Sequence, residues 1–172
     1  MKFLNSFCYK TSLFTLLISV VLFWGCSSET TKKLEFGDTA PAFKIVDLNE
    51  KTIDLATMLG QPVILRFFVP NCKYCRADTK VFNKYHSTYS EKGLNIIYIN
   101  TDQNESEAKK FVNDLNIVFP VVLDSDQKLA QLYRVKVVPQ TIVLDPSHSI
   151  IGAILGGVSE AELNELLLKF IN

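Results

Sequence analysis

The chain has 172 residues, 48% of them hydrophobic, with 18 basic and 18 acidic side chains. That is enough apolar material for the core of one domain plus a short targeting segment. Two of the basic residues, Lys2 and Lys10, belong to the extreme N-terminus; without them 16 basic residues face 18 acidic ones, about −2, which excludes the strong positive footprint of a nucleic-acid binder.

Lys2 and Lys10 precede an uncharged run from Leu13 to Trp24. A membrane-spanning helix wants roughly 20 such residues, and this shorter run fits the apolar region of an export signal. Gly25-Cys26 ends it, and Ser27 to Lys33 is small, polar and charged. A small residue followed by cysteine at this boundary resembles a bacterial lipoprotein box, in which the cysteine is lipidated and becomes the mature N-terminus. Phe23 and Trp24 depart from the usual box. Three fates therefore stay open: lipidation at Cys26, an uncleaved N-terminal anchor, or simple secretion. The expected division is a leader over 1–25, a tether over 26–34 and a folded domain over 35–172. Two acyl chains on Cys26 would anchor the domain stably.

Within the domain, 43–48 and 51–55 read as two short strands around the Asn49-Glu50 turn, a β-hairpin. Asp54 is placed to cap a short helix through Met58, with Gly60 as its stop. Val63 to Val69 is apolar on both faces except at Arg66, the pattern of an internal strand in a covered sheet. Pro70-Asn71 punctuates it. A helix follows from Lys73 to about Glu91, with Cys75, Phe82, Tyr85 and Tyr89 on related faces and Gly93 as its stop. Leu94 to Asn100 is the next strand. Strand, helix and strand at this spacing imply a right-handed crossover and a parallel pair.

Asn104 to Asn113 predicts a second helix, capped by Asn104 or Asp102. Phe119 to Asp124 is a short added strand, and Gln127 to Tyr133 one or two helical turns. Val135 to Asp145 reads as extended chain, and Ile150 to Leu155 returns antiparallel after a short turn. Gly156-Gly157 breaks the strand. Ser159 and Glu162 form a capping box for a last helix, whose buried stripe is Leu163, Leu166, Leu167 and Phe170.

Of four cysteines, Cys8 lies in the leader and Cys26 at its boundary, so only Cys72 and Cys75 remain in the domain. A bridge between them would close a loop too short to stabilise much. Their spacing therefore points to chemistry. A thiol at a helix N-terminus meets unpaired N–H groups and the positive end of the dipole, which favour thiolate. Cys72 has that position, and Lys73 and Arg76 add positive charge. Cys75 lies one turn inward. The asymmetry assigns attack on a disulfide to Cys72 and displacement of the product to Cys75. A zinc site needs two further ligands. His86 and His148 have no ligand spacing and read as surface residues, so no metal is expected. Haem attachment needs histidine where Arg76 stands.

The order of motifs identifies the region from Phe36 to Ile171 as resembling the thioredoxin-like superfamily, and within it the membrane-tethered reductases of the TlpA/ResA type. Four stretches carry the likeness: Gly37 to Phe43, Phe67 to Cys75, Phe119 to Asp124, and Val137-Val138-Pro139-Gln140-Thr141. The resemblance implies an α/β thioredoxin fold, a central mixed β-sheet flanked by helices, with an N-terminal hairpin and a central insertion. It implies a cis Pro139 beside the dithiol and a Val138 whose backbone hydrogen-bonds a bound peptide. Asp78 falls where such relatives carry an active-site glutamate; read without the resemblance, it is a first-turn acid favoured by the helix dipole. Two positions depart from the family: Asn71 stands where tryptophan is usual, and Arg66 where thioredoxins carry a buried acid. Arg66 either pairs with Asp78 or snorkels to a sheet edge.

These readings converge on a monomeric thiol-disulfide oxidoreductase of the bacterial envelope, without cofactor, reducing protein disulfides such as those of apocytochrome c. A membrane-embedded relay would supply its electrons. Two rivals are a peroxiredoxin-like thiol peroxidase, which should carry Thr or Ser where Val69 stands, and a non-catalytic lipoprotein with an inert Cys72–Cys75 bridge.

Overall fold

The computed structural model describes residues 34–171. Cys8, Cys26, the leader and the tether up to residue 33 lie outside the described residues. Strands β1 (Lys44–Val46) and β2 (Thr52–Asp54) pair antiparallel as the expected hairpin. The Asp54 carboxylate caps the 3-10 turn Leu55–Met58 by accepting from the Ala56 N–H at 3.1 Å. Gly60 follows with φ of 92°, a conformation glycine adopts without steric cost.

The main sheet has five strands in the order β5 (Val121–Leu123), β4 (Asn95–Asn100), β3 (Val63–Phe68), β6 (Gln140–Leu144) and β7 (Ile150–Leu155). β3, β4 and β5 run parallel; β6 and β7 are antiparallel additions. The crossovers carry α1 (Lys73–Tyr89) and α2 (Glu105–Asp114), while α3 (Lys128–Leu132) precedes β6 and α4 (Glu160–Ile171) closes the fold. Ser159 and Glu162 form the expected capping box on α4. The extended reading of Val135 to Asp145 shortens to Gln140–Leu144, starting just after Pro139, which has no N–H for a ladder; the Val138–Pro139 bond is cis, as expected.

β3 is the centre, and all six of its residues are buried. Alternation divides them between two cores. Val63, Leu65 and Phe67 join the core on the hairpin side, with Leu55 and Tyr133. Ile64 and Phe68 join the core beneath α1 and α4, with Phe82, Tyr98, Phe111 and Leu163. Arg66 lies between Ile64 and Phe68 in that alternation and so faces α1. Burying each large apolar side chain here contributes about 1.5–3 kcal/mol.

Among the described residues no helix is long and apolar enough to cross a membrane. His148 corrects the surface expectation: it is only 6% exposed. The segment before the hairpin folds across its turn, with the Ala40 N–H donating to the His148 carbonyl at 2.8 Å and the Gly37 N–H to the Ile150 carbonyl at 2.9 Å. His86 is half-buried, its ring 5.6 Å from that of Phe119.

Candidate active site

β3 ends at Phe68 and a short loop carries the chain into α1. Cys72 is the N-cap of that helix, with extended dihedrals, and its Sγ accepts from the Cys75 N–H at 3.4 Å. The Cys72 N–H itself donates to the Val69 carbonyl at 3.1 Å. Both thiols are free; Cys72 is half-buried and Cys75 is 1% exposed. Burial pushes the Cys75 thiol up to about 12, helped by its hydrogen bond to Cys72, while the charge of Arg66 pulls the other way. One sulfur thus sits half-buried on a helix N-terminus and the other, a turn inward, is kept protonated.

Asp78 is one helical turn beyond Cys75 on the same face. It is not a first-turn acid: the first turn of α1 carries none, and Asp78 is buried. Its Oδ2 accepts from Arg66 Nη2 at 2.5 Å and from the Val158 N–H at 2.9 Å. Arg66 is fully buried in the central strand, far from any sheet edge, so pairing rather than snorkelling describes it. Its other terminal nitrogen donates to Thr141 Oγ1 at 2.7 Å and to the Gly156 carbonyl at 3.1 Å, and its guanidinium lies 5.2 Å from the Phe82 ring centre. Burial raises the Asp78 carboxyl above its ordinary range, against the opposing pull of Arg66 and the Val158 N–H. Arg66 Nε and Asp78 Oδ1 remain buried without a hydrogen-bond partner.

Pro139 follows from register. Gln140 pairs with Phe67, so Pro139 stands beside the end of β3, where the chain leaves for the Cys72 loop. Its carbonyl accepts from the Gly156 N–H at 2.8 Å. Gly156 therefore joins the cis-proline strand to Arg66, and Val158, two residues on, holds Asp78. Val138 precedes the ladder, is half-buried, and is flanked by the exposed Val137. Sequence reasoning singled out Arg66, Asp78, Val138 and Pro139 but missed Thr141, Gly156 and Val158. Two of these act through backbone groups, which leave no residue-type signal. The sequence sign for Thr141 is a polar residue in an apolar strand, as for Arg66. Among the described residues no cluster of His, Cys, Asp and Glu is arranged to hold a metal ion.

The sequence profile of the AhpC/TSA family matches residues 36–153. The thiol-disulfide oxidoreductase ResA of Bacillus anthracis is 32% identical over 138 residues, which is 80% of each chain. The chain belongs to this family. ResA of Bacillus subtilis is 25% identical over 131 residues, 76% of this chain and 73% of its own. Among solved structures, the thioredoxin domain of a thiol-disulfide oxidoreductase from Bacteroides vulgatus superposes with a TM-score of 0.72 at 27% identity, over 81% of this chain and all of the other. A thiol:disulfide interchange protein from a Bacteroides species does so with 0.69 at 26%, over 81% and 91%. The thioredoxin fold and the thiol-disulfide oxidoreductase activity expected from the motif order are thereby established for this ResA-like chain.

Proposed function

We propose that this oxidoreductase reduces protein disulfides outside the cytoplasm, with Cys72 as the attacking and Cys75 as the resolving thiol. The observation that carries the reading is the unequal burial of two free thiols, one at the N-cap of α1 and one beneath it. Cys72 attacks a substrate disulfide and forms a mixed disulfide, releasing one substrate sulfur. Cys75 then attacks Cys72, the mixed disulfide breaks, and the second substrate sulfur leaves with the electron pair. The two protons of the dithiol end on the two product thiols. The substrate gains two electrons and the protein becomes a Cys72–Cys75 disulfide.

Val138 and Pro139 line the approach to Cys72, and the backbone of Val138 holds the substrate peptide in extended form. Asp78 exchanges a proton with Cys75. The chain works as a monomer, tethered through Cys26, and receives electrons from a membrane-embedded dithiol relay. Its substrates are envelope disulfides, apocytochrome c cysteine pairs among them.

Replacing Cys75 by Ser tests this directly. The variant should accumulate mixed disulfides through Cys72 in envelope preparations, released by reductant and absent when Cys72 is also replaced. Failure of Cys75→Ser to trap any protein, together with fast hydrogen peroxide consumption by the unaltered protein, would overturn the assignment in favour of a thiol peroxidase.

A further inference from the structure

We propose that Arg66 is a positioning residue for the resolving step: it holds Asp78 through Oδ2, so that Oδ1 is left as the acceptor for the proton Cys75 must shed. The proposal rests on Cys75 being the resolving thiol. Three observations carry it. Arg66 is pinned at both terminal nitrogens, by Thr141, Gly156 and Asp78, so its charge cannot swing away. Asp78 Oδ2 is fully used by Arg66 and Val158, whereas Oδ1 is buried and has no partner. Cys75 and Asp78 share one face of α1 a single turn apart.

The step balances without an outside reagent. Cys75 Sγ gives its proton to Asp78 Oδ1 and attacks Cys72 Sγ. The Cys72–Cys75 bond forms as the bond to the substrate sulfur breaks. That sulfur departs as thiolate and takes up a proton, and Asp78 is finally returned to the carboxylate. A fixed cation beside both groups favours each anion, thiolate and carboxylate, in a site that otherwise penalises charge. Cys72 from the loop and Tyr98 from β4 are the other titratable groups facing the pair; β6 contributes the neutral Thr141, and the turn after β7 contributes the Gly156 carbonyl and the Val158 N–H. Tyr98 is buried and its phenol is pushed well above its ordinary range, so it stays neutral.

The test separates the two halves of the exchange with Ellman's reagent, whose thionitrobenzoate leaving group is coloured. The full-length chain with Cys8 and Cys26 replaced by Ser, reduced and in mild detergent, is mixed with the reagent at a series of pH values. The first release reports attack by Cys72 and scales with reagent concentration. The second reports attack by Cys75 on the mixed disulfide and does not. Arg66→Met should leave the first phase within about twofold and move the pH midpoint of the second up by about one unit, a tenfold loss at a fixed pH below it. Arg66→Lys keeps a cation and should recover most of that shift. A second-phase midpoint unchanged in Arg66→Met, even with lowered stability, means that Arg66 only supports the fold and overturns the proposal. Should Arg66→Met not fold, the neutral pair Arg66→Gln with Asp78→Asn takes its place. It should flatten the pH inflection of the second phase, and a wild-type profile there overturns the proposal too. Cys75→Ser, run alongside, must lose the second release; if it does not, the assignment of Cys75 is what has failed.

Discussion

Helix α1 is tied to the rest of the molecule by two arginine–aspartate pairs that differ mainly in where they sit. Arg76 reaches Asp114 at the end of α2 at 3.0 Å, with both side chains more than a third or about a third exposed. Arg66 reaches Asp78 at 2.5 Å with both buried. The two aspartates shift in opposite directions. Lys110 and Arg76 hold the Asp114 carboxyl below its ordinary range through hydrogen bonds in water. Burial raises Asp78 despite a guanidinium in contact. The same two chemical groups thus stabilise the charged carboxylate at the surface and fail to compensate fully for its desolvation inside. An interior pair of this kind is poor evidence for stability; here it fixes two opposite charges one helical turn from Cys75.

The largest expected effect follows from breaking the interior pair on one side. Arg66→Ala or Asp78→Ala leaves an uncompensated buried charge and should cost about 3–5 kcal/mol in urea unfolding. Replacing both, Arg66→Met with Asp78→Leu, should regain most of that loss while slowing the exchange reaction. If the double replacement is as unstable as the singles added together, the burial argument is wrong.

Next in size is the response to pH of the reduced protein. The folded Cys75 thiol titrates near 12 against an unfolded value of 9.0. A raised folded value means its contribution is complete below the unfolded pKa and is lost as pH rises through the window from 9 to 12. The urea midpoint of the reduced form should fall across that range, and Cys75→Ala should remove most of the slope between pH 9 and 10, below the range in which the buried Tyr85, Tyr98 and Tyr133, whose phenols are also pushed up from 10.0, begin to add theirs.

A subtler contrast separates the two aspartates. Asp78, with its raised value, contributes stability below pH 3.8 that is lost as pH climbs through its folded pKa. Asp114, with its lowered value, contributes above 3.8 and loses that contribution as pH falls through its folded pKa. Urea midpoints of Asp114→Asn and the wild type should therefore converge in acid. The smallest effect belongs to Arg76→Ala, whose shift in midpoint should be a minor fraction of that of Arg66→Ala and should vanish in molar salt. A shift that survives salt would mean the surface pair is not solvent-screened.

What was readable in advance tracks how local each signal is. The hairpin, the capped 3-10 turn after Asp54, the left-handed Gly93 that closes the 3-10 turn Ser90–Lys92 following α1, and the Ser159–Glu162 box all rest on residues within a few positions of one another. So does the dithiol, because its placement needs only a strand, a turn and a helix start. His148 reads as a surface turn residue, but residues 37–40, far away in the chain, hydrogen-bond across that turn and the residue is buried. Arg66 shows the intermediate case. Strand alternation puts it on the face of Ile64 and Phe68, and helical spacing puts Asp78 on the face of Cys75. Only the packing of α1 on β3 decides that these two faces are the same core.

The sequence by itself therefore determined the parallel strand–helix–strand unit, the position of the thiols on it and the chemistry that they can perform, since periodicity and capping act over one or two turns. Tertiary structure decided what stands beneath the thiols. Arg66, Asp78, Thr141, Gly156 and Val158 come from four separate elements and turns, and their hydrogen bonds exist only once the sheet has closed around β3. Desolvation, which sets the shifts of Cys75 and Asp78, arises from that closure and has no counterpart in the unfolded chain.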